Sequence, residues 1–246
     1  MATIAADPGT SGRLSRRSRE HLFFWAMSML LAVIVFIGFA RTYFLAGYFH
    51  SKPLAAPIVH VHGALFTAWI LLLVTQSSLA ASGNLKIHRR LGLLGLGLAP
   101  LVFLLGVLVA NEMLRRLSGT PHFDAERIYA VALSEIIGFA VPTFLALGLR
   151  RWSAYHKRLI LIGTIAMMTA AFGRWPIHAL LHRPLPAMAC TFSLLGLVAA
   201  YDVSSLRKVH PATLLGSAWV IAVELTSIPV SHSAAWHAFA IWSRSL

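Results

Sequence analysis

Seven long apolar stretches divide the chain, at about Leu22–Ala40, Ile58–Ala81, Leu91–Met113, Ile128–Leu149, Leu159–Trp175, Leu185–Tyr201 and Ala212–Val230, with short polar or basic connections between them. Most approach the roughly 20 residues that a helix needs to cross a hydrocarbon core about 30 Å thick. A segment in lipid must satisfy its own backbone hydrogen bonds, so each is predicted to be a helix. The fifth is short, because only 15 residues separate Arg158 from Arg174, and Pro176 is placed to kink or end it. The pattern predicts an all-α integral membrane protein: a bundle of about seven transmembrane helices. Residues 1–20 form a basic tail, 21–230 the transmembrane domain and 231–246 a tail that could lie along the membrane interface.

The first apolar run is 19 residues long and ends in Arg41, Tyr43 and Phe44. It is longer than a signal-peptide core and has no small-residue cleavage site, so it is expected to remain as the first span. The alternate connections differ in charge: the tail and the loops on its side carry 13 Lys and Arg, the opposite side 8. Basic loops stay in the cytoplasm, which predicts a cytoplasmic N-terminus.

Composition agrees with the pattern and adds an exclusion. Hydrophobic residues make up 58% of the 246 residues and charged residues 12%, leaving no room for a separate soluble domain. The net charge of +13 could suggest a nucleic-acid partner. The basic residues nonetheless fall in short runs at span ends rather than on one face, so the lipid bilayer is the expected partner and nucleic acid is not. A single cysteine, Cys190, lies within an apolar stretch and excludes an intrachain disulfide. Gly-rich phosphate loops, HExxH and GxSxG are absent, which argues against an ATP-driven machine or a hydrolase of familiar type.

One octet recurs. His88-Arg89-Arg90-Leu91-Gly92-Leu93-Leu94-Gly95 matches His156-Lys157-Arg158-Leu159-Ile160-Leu161-Ile162-Gly163 at five of eight positions, each opening an odd-numbered span. Two similar hairpins are implied. His88 and His156, with His21 and His210, sit beside Lys or Arg on the cytoplasmic side, where they read as interfacial anchors.

Chemistry is expected where polar groups enter the apolar stretches, since an ionised side chain at the bilayer centre costs at least about 2.5 kcal/mol. Glu135, Arg174 and Glu224 are such residues. A rise of 1.5 Å per residue puts them at about 22, 24 and 21 Å from the cytoplasmic ends of their spans. They are expected to form a polar pocket in the outer half of the bundle, with Arg174 neutralised by one of the acids. A purely structural ion pair would give the same pattern. On the outer side His178 and His182 are four residues apart, a spacing able to present two metal ligands on one helical face. His62 and His178 are the candidate ligands for a haem or transition-metal cofactor from facing helices; a loop that is merely rich in histidine is the alternative.

Several strings resemble an uncharacterised family of bacterial multi-pass membrane proteins: Arg41-Thr42-Tyr43-Phe44-Leu45, His60-Val61-His62-Gly63 with Phe66 and Trp69, Gln76, the His88 and His156 motifs, and Arg174-Trp175-Pro176. The resemblance implies a bacterial plasma (inner) membrane location and supplies no catalytic residues. No enzymatic activity is indicated. The functions left open are binding of haem or a transition metal in an outward-facing pocket, small-solute or proton-coupled transport, and a structural role beside a membrane partner.

Overall fold

A computed structural model describes residues 8–51, 56–121, 123–181 and 183–245, the side chains of 8–17 excepted. Among them the chain is all helical, without a strand: α1 (Pro8–Phe39), α2 (Pro57–Ala81), α3 (Leu85–Leu117), α4 (Ala125–Gly148), α5 (Ser153–Ile165), α6 (Met168–Phe172), α7 (Pro184–Leu206), α8 (Pro211–Ser231) and α9 (Ala234–Ser245). Local sequence explains several starts. Proline opens α2, α7 and α8, where its missing N–H would have no intrahelical partner. Asp124 Oδ1 accepts from the Arg127 N–H at 3.0 Å and caps α4.

Six of these helices are long and apolar enough to cross a membrane: Ser18–Phe44, within α1 and the short π-helical stretch after it, then α2, α3, α4, α7 and α8. Large apolar side chains such as Leu93, Leu104, Leu214 and Leu215 are exposed on the outside of the bundle. That surface is suited to lipid, as in a multi-pass membrane protein.

The fifth stretch departs from a simple span. It breaks into α5 and α6 at Ala166 and Met167, and neither piece alone has the length to cross. Just before the break the Thr164 hydroxyl donates back to the Ile160 carbonyl at 2.9 Å and accepts from Trp69 Nε1 at 3.1 Å. The Met167 N–H then closes a tight three-residue turn onto the Thr164 carbonyl at 3.2 Å.

This broken segment is the centre of the molecule. It packs among α1, α4, α7 and α8, and Ile162, Ile165, Ala166, Met168 and Ala171 have no exposed surface. Missing side chains make the close approach possible. Gly38 of α1 lies against the backbone of Ala171, and a Cβ on Gly163 would come 3.0 Å from the Phe139 carbonyl oxygen of α4. The C-terminal residues form α9, whose Ala240 and Ser243 are buried where it packs against α3, α4 and α8.

Candidate functional site

The break gives the buried carboxylates something to bind. Glu135 on α4 and Glu224 on α8 are 6% and 0% exposed, and both meet consecutive residues of α6. Glu135 Oε2 accepts from the Ala170 backbone N–H at 3.2 Å, and Glu224 Oε2 accepts from the Thr169 hydroxyl at 2.9 Å. Thr169 also lies 2.8 Å from Thr191 of α7, whose hydroxyl is 3.2 Å from the Ala187 carbonyl. A hydroxyl has one proton, so with the Thr169 proton given to Glu224, Thr191 donates either to Thr169 or to the Ala187 carbonyl. Glu224 Oε1 is buried and has no hydrogen-bond partner. A buried carboxyl with one unmatched oxygen must hold a proton or meet a cation or water to avoid a large desolvation cost.

Arg174 belongs to the same turn in a way that differs from the expected ion pair. Its Nη1 donates to the Ala170 carbonyl at 2.6 Å and its guanidinium lies 4.8 Å from the centre of the Phe39 ring. Among the described residues no carboxylate comes within 4.0 Å of it, although it acts electrostatically on both Glu135 and His62. The reason is geometric. Arg174 follows α6 by two residues and folds back one turn to satisfy a carbonyl at the end of that short helix. Ala170 is thus held at its N–H by an acid and at its carbonyl by a base.

Among the described residues the histidines proposed from the sequence share no hydrogen bond or ring contact. His62 is half-buried, stacks on Phe66 at 6.4 Å and has a buried Nδ1 without a partner. His178 is exposed, in the turn after Pro176, and no hydrogen bond or ring contact joins it to His62. His182 lies outside the described residues, so the His178–His182 pairing is not placed. Among the described residues no group of three or more His, Cys, Asp or Glu side chains is arranged to hold a metal ion.

Two polar centres were not singled out by the sequence reading. At the end of the bundle where α5 begins, Arg158 and Asp202 are buried together. Arg158 Nε is 3.0 Å from Asp202 Oδ1 and Nη2 is 2.5 Å from the same oxygen. Asp202 Oδ2 also accepts from the Thr213 hydroxyl at 2.5 Å and the His210 N–H at 3.1 Å. The sixth apolar stretch ends at Tyr201, one residue short of Asp202, but α7 continues to Leu206 and carries the acid inside. The second centre involves His88 and His156. Both are half-buried, and each ring Nδ1 contacts a backbone carbonyl of the preceding helix. The recurring octet was the signal for it.

No family model, curated protein or solved structure matches this chain.

Proposed function

We propose that the chain is a small-solute carrier coupled to protons through Glu135 and Glu224. The observation that carries this reading is the helix broken in the middle of the bundle and seated between two buried acids. Discontinuous helices free backbone groups for ligands, and ionisable residues inside a membrane mark proton and substrate paths. Thr169, with one hydroxyl between Glu224 and Thr191, links α7 and α8 to the break. A small shift of α6 would therefore change the partners of both acids. In this reading the α5–α6 segment makes a seventh crossing, the basic loops face the cytoplasm of a bacterial cell, and the acids sit in the outer half of the plasma membrane.

Two measurements test it. Infrared difference spectra of the protein in liposomes, recorded as pH is stepped, are expected to show a carboxylic-acid band that disappears in Glu224→Gln. No titrating band in the native chain, or one unchanged in both Glu224→Gln and Glu135→Gln, would remove the coupling. Liposomes given a mixture of small solutes and an imposed proton gradient are expected to accumulate at least one solute, read by mass spectrometry, and to lose that accumulation with Glu224→Gln. Equal contents with and without the gradient would overturn the carrier.

A further inference from the structure

His88 and His156 open α3 and α5 at the same end of the bundle and line one cavity of about 80 Å³, together with Gln76, Trp69, Gly92 and Leu147. His88 Nδ1 is 3.2 Å from the Gln76 carbonyl oxygen, and His156 Nδ1 is 2.9 Å from the Ala146 carbonyl oxygen. A carbonyl oxygen can only accept, so in both rings Nδ1 carries the proton. The neutral ring then keeps its lone pair on Nε2. This is the arrangement in which a backbone carbonyl fixes the tautomer and orientation of a metal-binding histidine.

Gln76 supplies a second, independent observation. Both polar atoms of its side-chain amide are buried, and neither has a hydrogen-bond partner. Gly92 of the repeated octet stands against it: a Cβ there would come 3.4 Å from Gln76 Nε2. A buried, unmatched amide beside two oriented imidazoles is costly unless something in the cavity completes it.

Size and donor type decide what that is. A cavity of about 150 Å³ accommodates benzene, and a water takes about 30 Å³ of liquid volume, so the space suits an ion with one or two waters better than an aromatic ring or a haem. In its neutral form each imidazole offers a lone pair at Nε2, which suits a cation. The remaining donors are two ring nitrogens and one amide oxygen, without a carboxylate. That set disfavours calcium and magnesium, which take oxygen ligands, and suits first-row transition cations. Arg89 and Arg90, beside His88, are exposed, which keeps their charge toward solvent.

We infer that His88, His156 and Gln76 form a binding site for one divalent transition-metal ion, held by the two Nε2 atoms and the Gln76 amide oxygen. It is separate from the Glu135–Glu224 cluster and does not depend on the carrier reading. The test is titration of the purified full chain in detergent with Co²⁺, followed by its ligand-field absorption, and with Cu²⁺, followed by paramagnetic resonance. One ion per chain and splitting from two nitrogens are expected. His88→Ala and His156→Ala should each weaken binding by at least about tenfold, the scale on which even outer-shell partners matter, while His178→Ala should leave it unchanged. No uptake by the native chain, fewer than two nitrogen ligands on its Cu²⁺, or an equal loss with His178→Ala would overturn the site. The nitrogen count comes from the native protein, so it stands even if a variant fails to fold.

Discussion

Arg158 on α5 grips Asp202 on α7 through two of its nitrogens, Nε at 3.0 Å and Nη2 at 2.5 Å from one carboxylate oxygen, with both side chains at most 2% exposed. The pair joins the start of the broken central segment to the end of a neighbouring helix. Further partners are the Ala154 carbonyl and, at 3.9 Å, Glu20 Oε1 on the arginine side, and Thr213 and His210 on the acid side. Removing Asp202 leaves Arg158 buried with only the more distant, partly exposed Glu20 carboxylate, 3.9 Å away, as counter-charge. Asp202→Ala is expected to cost roughly 3–5 kcal/mol, read as a lower melting temperature in detergent. Arg158→Met combined with Asp202→Leu should recover much of that loss. A single variant as stable as the native chain would show that the pair is not a fastening.

His210 contributes to the pH dependence of this end between neutral and mildly acid pH. It precedes Pro211, and its Nδ1 accepts the Ala212 N–H at 3.1 Å to cap α8. Burial, then the charge of Arg158, hold its imidazole below the ordinary value, opposed by the nearby Asp202. Lys157 and Lys208 act in the same direction as Arg158. A depressed folded-state value means that the neutral ring is the one the fold selects. Its contribution is present above the unfolded value of about 6.5 and is lost as pH falls through the folded value. Stability measured from neutral to mildly acid pH should therefore fall, and His210→Asn, which retains a capping oxygen, should flatten that part of the curve. An unchanged slope in the variant would assign the effect elsewhere.

Legibility in the sequence followed the scale of the feature. Apolar runs marked six helices because a membrane demands length and composition, which single residues report directly. The fifth run was legible as short, but its break at Ala166 and Met167 carries neither glycine nor proline. It depends on tertiary contacts to Thr164 that no local pattern encodes. Glu135 and Glu224 stood out because an acid among apolar residues is anomalous, and a count of helical rise placed them at one level. Arg174 stood out for the same reason, yet its partner is a backbone carbonyl, which every residue has and no sequence distinguishes. His88 and His156 were read as anchors because basic neighbours surround them. Only the fold shows that each ring turns to a backbone carbonyl of the preceding helix. Asp202 was hidden by a span boundary drawn one residue early, within the error of any such boundary.

Close packing at Gly163 should be sensitive to a single methyl group. A Cβ there meets the Thr143 hydroxyl and the Phe139 carbonyl oxygen, and the carbonyl belongs to the backbone of a neighbouring helix and cannot rotate away. Gly163→Ala is expected to cost about 1–3 kcal/mol through overpacking. Gly196→Ala is the control: nothing lies within 4 Å of its Cβ position in the exposed face of α7. It should be neutral, or stabilising by up to about 1 kcal/mol from helix propensity. Melting temperatures of the two variants in the same detergent compare the effects directly; a similar fall in both would point to a loss common to any glycine replacement.

The C-terminal helix is fastened by a short polar relay. Ser243 donates to Asn111 Oδ1 at 2.9 Å, which leaves its oxygen to accept from the Tyr129 hydroxyl, also at 2.9 Å. Ser243 and Tyr129 are 4% and 3% exposed, so water offers little substitute. Trp236 adds a bond from its ring N–H to the Glu126 carbonyl at 3.0 Å, outside the relay. Ser243→Ala strands a buried donor and a buried acceptor at once and is expected to cost about 1–3 kcal/mol. Combining it with Tyr129→Phe removes the stranded donor, and stability should partly return. Limited proteolysis separates a local from a global effect. If the relay holds α9 in place, cleavage after Ser231 should accelerate in Ser243→Ala while the rest of the bundle stays intact, and it should slow again in the double variant. Equal cleavage rates in all three chains would mean that α9 is held by its other contacts, among them the Trp236 and His237 contacts to Glu126.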